Sequence, residues 1–271
     1  MSSTRTRIIS AVVAALIVIA LYIIAKRDGL TIVAILATLG AQYEFIKLCI
    51  PNAKNLLKLL FFVFSAAIYA SISMQIPDAP VSILAISFMC MSIFVMLLAK
   101  NNDDNKEKQS LISTTTMGFI YVGVLPGITT QLILNHSLGL QIFFICILTV
   151  ITTDVMAYFV GRKFGKAKLL PTISPNKTKA GSFAGSLSAL VMACVMSWLL
   201  GLQDHIVGLT IAGFIASIFS QFGDLFESVL KRNAGKKDSG RIMPGHGGYL
   251  DRLDSILFSF PIFYCYVTWF V

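Results

Sequence analysis

The chain has 271 residues, 56% of them hydrophobic and only 13% charged, with a mean hydropathy of +0.80. A soluble globular protein carries roughly 25% charged residues, so this composition excludes one and leaves no room for a sizeable soluble domain. The formal net charge of +9 therefore sits on a polytopic integral membrane protein, an all-α bundle of transmembrane helices.

A helix needs about 20 apolar residues to cross a bilayer. Hydropathy predicts about nine such spans, roughly at 8–25, 30–50, 56–76, 80–99, 111–134, 138–160, 182–201, 205–230 and 250–271. Charge and turn residues separate them: Lys26-Arg27-Asp28-Gly29, Pro51-Asn52, the stretches 75–80 and 100–109, Asn135-His136, and two longer polar loops at 161–181 and 231–249. The first run is long for a signal-peptide core and lacks a small-residue cleavage site, so it reads as a retained anchor. Residues 1–110 form an N-terminal part of about four helices. Residues 111–271, with both polar loops, form the candidate catalytic part.

Lysine and arginine fix the orientation. With the N-terminus in the cytoplasm, 20 of the 22 fall on the cytoplasmic side and only Lys26 and Arg27 outside, as the positive-inside bias requires. Loops 161–181 and 231–249 then share the face where nucleotides are found. Topology alone accounts for most of the excess charge. No RNA- or DNA-binding pattern interleaves aromatics with these basic residues, so no nucleic-acid partner is expected. The five cysteines stand singly in apolar segments, without metal or disulfide spacing.

Three acidic intrusions interrupt the apolar runs before the last polar loop. Glu44 lies three residues before Lys47 and pairs with it on helical spacing, a structural role. Asp154 lies seven residues before Gly161, roughly 10 Å below the helix end at ~1.5 Å per residue. Near the end of the eighth span, Asp224, Glu227, Ser228 and Lys231 follow i, i+3, i+4, i+7 spacing and share one helical face. Such a stripe must avoid lipid, because an ionised side chain at the bilayer centre costs at least ~2.5 kcal/mol. An internal salt bridge around Lys231 is the structural alternative.

The block from Ser228 to Asp254 is the most polar part of the chain. It holds Lys231, Arg232, Lys236, Lys237, Arg241 and Arg252, the aspartates Asp238, Asp251 and Asp254, and five glycines. That mixture suits a highly charged, metal-bound phosphate substrate. Asp251 and Asp254 lie three apart on one face of the ninth span. Hard carboxylate oxygens suit Mg²⁺, which takes one or two carboxylates plus substrate phosphates and waters. Asp224 and Asp251 are the first candidates as metal ligands and Asp254 the next, for Mg²⁺ with or without a second, monovalent cation. Lys231, Arg232, Lys237 and Arg252 are placed to neutralise phosphate charge, and Asp238 and His246 stand beside them as further catalytic candidates. Gly247 and Gly248 permit close approach of backbone N–H groups to a phosphate. Ser228, and Ser174, Lys177 and Thr178 on the Pro-containing turn of the preceding loop, can bind phosphate or a sugar hydroxyl. These residues suggest metal-assisted phosphoryl or nucleotidyl transfer at a cytoplasmic membrane surface.

The pattern S-x-x-K-R-x4-K-D-x-G-x2-M-P-x-H-G-G-x-x-D-R-L-D over residues 228–254 resembles the signature of the phosphatidate cytidylyltransferase (CDP-diacylglycerol synthase) family. The Ser174-Pro175-x-Lys177-Thr178 element and D-x-x-A-Y-F-x-G-R-x-F-G-K from Asp154 to Lys166 are similar to family elements too. Departures are Tyr249, where an aliphatic residue is expected, and Lys179-Ala180, where many members have Trp-Glu. The resemblance covers about the last 120 residues. It implies an inner-membrane enzyme that condenses CTP with phosphatidic acid to CDP-diacylglycerol and pyrophosphate, works as a homodimer, and uses Asp154 in cation or nucleotide binding. Two alternatives stay open: a related CTP-dependent lipid enzyme, such as a polyprenol kinase or another CDP-lipid synthase, and an ion or proton transporter relaying through Glu44, Asp154 and Asp224.

Overall fold

The computed structural model describes residues 3–98, 105–135, 137–240 and 247–271. Nine α-helices run through the described residues: α1 (Ser3–Cys49), α2 (Asn55–Ser73), α3 (Ala79–Leu98), α4 (Asn105–Phe119), α5 (Leu125–Asn135), α6 (Gly139–Phe164), α7 (Lys179–Leu199), α8 (Ile206–Asn233) and α9 (Leu250–Phe270). Two short strands, β1 (Lys168–Leu170) and β2 (Ser174–Thr178), lie between α6 and α7. Seven helical segments among the described residues are long and apolar enough to cross a membrane. One of them is the continuous run Asn105–Leu134, in which α4 and α5 are joined by a π-turn over Ile120–Val124. The protein is thus a multi-pass, all-α membrane protein. The first two predicted spans both lie in α1, which is broken at Lys26 (φ 47°, ψ −119°). That backbone conformation is incompatible with a continuing helix, and it falls where the polar Lys26–Gly29 break was expected.

The chain divides into two compact units. The first comprises Met1–Leu134 with Asp238–Leu250, the second Asn135–Lys237 with Asp251–Val271. In the first unit the core is aromatic. Phe45 of α1 stacks on Phe61 of α2 at 5.3 Å between ring centroids, and Phe61 stacks on Phe119 of α4 at 5.2 Å. Such pairs contribute about 0.5–1.5 kcal/mol each beyond the area they bury. The π-turn has a local use: buried Gln42 donates from Nε2 to the Val122 carbonyl at 3.1 Å.

In the second unit α6 and α7 form an antiparallel pair joined by the β1–β2 hairpin, with Lys168 opposite Thr178 and Leu170 opposite Ser174. Where a basic loop is expected, the chain therefore forms a small sheet, and both helices run further toward it than hydropathy alone predicts. Arg162 and Lys163 occupy the last turn of α6, where cations oppose the negative end of the helix dipole. Thr178 caps α7, its hydroxyl accepting from the Gly181 N–H at 3.2 Å. Between lipid-facing helices there is no strong hydrophobic drive to associate, so close backbone approach through small residues matters. Gly181 and Gly185 of α7 lie directly against the carbonyls of Ala157 and Thr153 on α6. The tight α6–α7 pair holds the hairpin and the end of α6 in fixed register.

A methyl group at Gly181 would sit 2.5 Å from the Ala157 carbonyl oxygen. Gly181→Ala is expected to cost about 1–3 kcal/mol through overpacking, read as a lower midpoint of thermal unfolding in detergent. An unchanged midpoint would refute the close α6–α7 contact.

Candidate active site

At one end of the second unit the last turns of α6 and α8, the hairpin and the first turn of α9 come together. Lys177, on β2, reaches Asp224 of α8 with Nζ 2.6 Å from Oδ2. Lys231, near the end of α8, pairs with Glu227 one turn before it and with Asp251 of α9, whose Oδ1 lies 2.6 Å away. Lys231 therefore ties two helices together across the polar loop.

Asp154 of α6, Asp224 and Asp254 feel one another's charge, and Lys177 and Arg252 act on Asp154 as well. Asp254 is buried, accepts from the Ser255 N–H at 2.7 Å, and acts electrostatically on Glu227. One cluster thus joins five carboxylates (Asp154, Asp224, Glu227, Asp251, Asp254) to three cations (Lys177, Lys231, Arg252). Two like charges 4 Å apart repel by about 4 kcal/mol at an effective dielectric near 20, so the surplus of negative charge favours a further cation. The Glu227 side chain is completely buried and its Oε1 has no hydrogen-bond partner, which points the same way. Among the described residues no three carboxylate, His or Cys side chains converge as a ready-made metal cage. Mg²⁺ does not need one, because it takes one or two carboxylates and fills its octahedron with phosphate oxygens and water. The donor set fits such an ion.

Beside the cluster lies a cavity of about 560 Å³, within the roughly 300–1,000 Å³ of small-molecule sites. Asp154, Tyr158 and Arg162 line it from α6, Lys168, Asn176, Lys177 and Thr178 from the hairpin, and Gln221 and Asp224 from α8. A smaller hollow of about 210 Å³ adjoins it, sharing Leu169, Ser182 and Gln221 and otherwise walled by Leu170, Ile218, Phe222 and Leu225. The polar cavity and the mainly apolar hollow thus share part of their walls.

Asp154, Lys177, Thr178, Asp224, Lys231, Asp251, Arg252 and Asp254, all singled out from sequence, are gathered in or beside this end. Ser174 lies on β2 without lining the cavity, and Ser228 is half-buried on α8. Arg232 and Lys237 are exposed, Arg232 donating to the Lys236 carbonyl at 3.5 Å. Asp238, Gly247 and Gly248 belong to the first unit; Gly247 has φ +81° and Gly248 is buried. His246 lies outside the described residues, as does Arg241. Sequence reasoning passed over Tyr158, Arg162 and Gln221. The signal was present: Asp154, Tyr158 and Arg162 follow i, i+4, i+8 spacing on one face of α6, and Gln221 precedes Asp224 by three.

The match to known proteins follows this geometry. The model of the cytidylyltransferase family matches residues 5–270. The phosphatidate cytidylyltransferase of Bacillus subtilis (strain 168) is 32% identical over 270 residues, 97% of each chain. That of Staphylococcus saprophyticus is 41% identical over 181 residues, covering 67% of this chain and 66% of the relative. That of Staphylococcus epidermidis (strain ATCC 12228) is 39% identical over 180 residues, 66% of each. The chain belongs to the cytidylyltransferase family.

The two lysines differ in their surroundings. Side-chain exposure is 13% for Lys231, 0% for Glu227 and 10% for Asp251, against 27% for Lys177 and 35% for Asp224. Removing one partner of a buried pair costs about 3–5 kcal/mol, whereas an exposed pair contributes about 0–1 kcal/mol. Lys231→Met is therefore expected to lower the unfolding midpoint in detergent far more than Lys177→Met. Equal shifts would show that Lys231 is not the structural tie.

Proposed function

We propose that this protein is a phosphatidate cytidylyltransferase of the inner membrane, condensing CTP with phosphatidic acid to CDP-diacylglycerol and pyrophosphate. The observation that carries this reading is the adjoining pair of cavities. One is lined by Arg162, Lys168, Lys177 and two aspartates, and the other is lined almost wholly by apolar side chains. An anionic headgroup attached to acyl chains has that same division, and the relatives named above are phosphatidate cytidylyltransferases.

In the reaction an oxygen of the phosphatidate phosphate forms a bond to the α-phosphorus of CTP. The bond from that phosphorus to the bridging oxygen breaks, and pyrophosphate leaves with its electron pair. A phosphate monoester is already a competent nucleophile, so positioning and charge neutralisation suffice without a strong general base. Arg162, Lys168 and Lys177 bind and orient phosphate groups along the cavity wall. Arg252 adds positive charge beside Asp154, and Arg232 and Lys237 extend the positive field at the exposed end of α8. Asn176 and Thr178 offer hydrogen bonds to the nucleotide. Lys231 holds Asp251 in place. One or two of Asp224, Asp251 and Asp254 would hold Mg²⁺, with phosphate oxygens and water completing its shell; when bound it neutralises charge on the triphosphate and on the leaving pyrophosphate.

The charge bias supports a cytoplasmic N-terminus and cytoplasmic polar loops, on the side where CTP is found. A homodimer accords with the family resemblance.

Purified protein in detergent with CTP, phosphatidate and Mg²⁺ is expected to release pyrophosphate and form a CDP-lipid, with neither product when the lipid is omitted. CDP together with a phosphorylated lipid would instead identify a CTP-dependent kinase. Asp251→Asn is expected to reduce turnover by about 10²-fold or more, as loss of a transition-state electrostatic group does; activity near wild type would remove Asp251 from the metal site. Orientation is checked separately. In a cysteine-free background, Lys179→Cys should react with a membrane-impermeant maleimide in inverted vesicles and stay protected in intact cells.

A further inference from the structure

Glu44 is a buried carboxylate in α1, 2% exposed. Helical spacing points it at Lys47, but its hydrogen bonds go elsewhere, while the Lys47 ammonium lies over the Tyr43 ring at 4.3 Å. Glu44 Oε2 accepts from the Ser239 hydroxyl and from the backbone N–H of Leu250, each at 3.0 Å. One donor lies within the polar segment that precedes α9 and the other at the point where that segment becomes helix. Leu250 is the first residue of that helix, whose first backbone N–H groups have no partner within it. A carboxylate there satisfies an orphan donor and interacts favourably with the positive end of the helix dipole.

The packing around Glu44 is specific to this arrangement. A side chain at Gly240 or at Gly248 would run directly into its carboxylate. One turn earlier on α1, Gly40 is covered by the Tyr249 ring, which leaves no space for a side chain there. Gly40, Glu44, Ser239, Gly240, Gly248, Tyr249 and Leu250 all belong to the first unit. The aromatic ring at position 249 thus has a structural reason, since it fills the surface that Gly40 leaves open.

We infer that Glu44 is a positioning residue, a clamp that ties the polar segment at Ser239 to the start of α9, and so sets where Asp251, one peptide bond beyond Leu250, is presented. This rests on the cytidylyltransferase reading for its catalytic consequence, but the clamp itself does not.

The test combines hydrogen–deuterium exchange with kinetics on the purified full chain in detergent, using CTP and phosphatidate as substrates. Glu44→Ala is expected to raise exchange at residues 239–251 while α2–α5 keep wild-type protection. It should lower kcat about tenfold or more and leave KM for CTP within about threefold, the pattern of an interaction expressed in the transition state. Glu44→Gln retains one acceptor oxygen and should recover much of both the protection and kcat. Unchanged exchange at 239–251 would overturn the clamp, as would loosening spread evenly through α2–α5. Wild-type kcat in Glu44→Ala would overturn the positioning role. A wild-type protein that makes no CDP-lipid counts against the enzymatic reading alone, and the exchange comparison then still decides the clamp.

Discussion

The Lys231 ammonium is the contact on which the functional end of the molecule depends. Glu227 and Asp251 come from different helices, separated by the whole polar segment, and both are nearly excluded from solvent. Two carboxylates so placed would repel each other and the neighbouring Asp254. Lysine suits the position because its charge is compact and its three donors rotate freely, so one side chain can serve both. Lys177 repeats the device at the exposed edge, joining the hairpin to α8 through Asp224. Each lysine neutralises acid and fixes geometry together.

Neutralisation is incomplete, and that links structure to chemistry. A purely structural network tends toward balance, because uncompensated buried charge is costly. Here five carboxylates meet three cations beside a cavity that Arg162 and Lys168 also line. A divalent ion together with a polyphosphate would balance both sides at once. The apolar chamber adjoining the polar one suits a substrate with a foot in each phase. Cytidylyl transfer to a lipid phosphate needs this arrangement: opposing charges brought together at the membrane boundary, with no demanding proton transfer.

The first unit contributes differently. Its aromatic stack of Phe45, Phe61 and Phe119 makes the second arm of α1 a firm support, and on that support sits Glu44. A clamp built on a helix is more precise than one built on a loop, since its rotamer is set by surrounding packing. Gly248, which on sequence suggests a phosphate nest, has a second reason to be glycine, and Gly240 shares it, because the Glu44 carboxylate occupies the space a side chain would need.

Period and composition carried most of the architecture. Twenty-residue apolar runs, polar breaks and the lysine and arginine bias are local properties, imposed on each segment by the bilayer regardless of its neighbours. The break at Lys26 and the stripe of Asp224, Glu227 and Lys231 could therefore be read directly, as could Asp154, Lys177 and Thr178 in the cavity wall. Pairing between segments could not. That Lys231 bridges to Asp251, that Lys177 reaches Asp224, that residues 168–178 fold as a hairpin and that Glu44 turns from Lys47 to Leu250 all depend on which helix faces lie together. Helix adjacency follows from small-residue contacts such as Gly181 on Ala157, whose partner lies far off in the chain, so only the assembled tertiary structure could fix it.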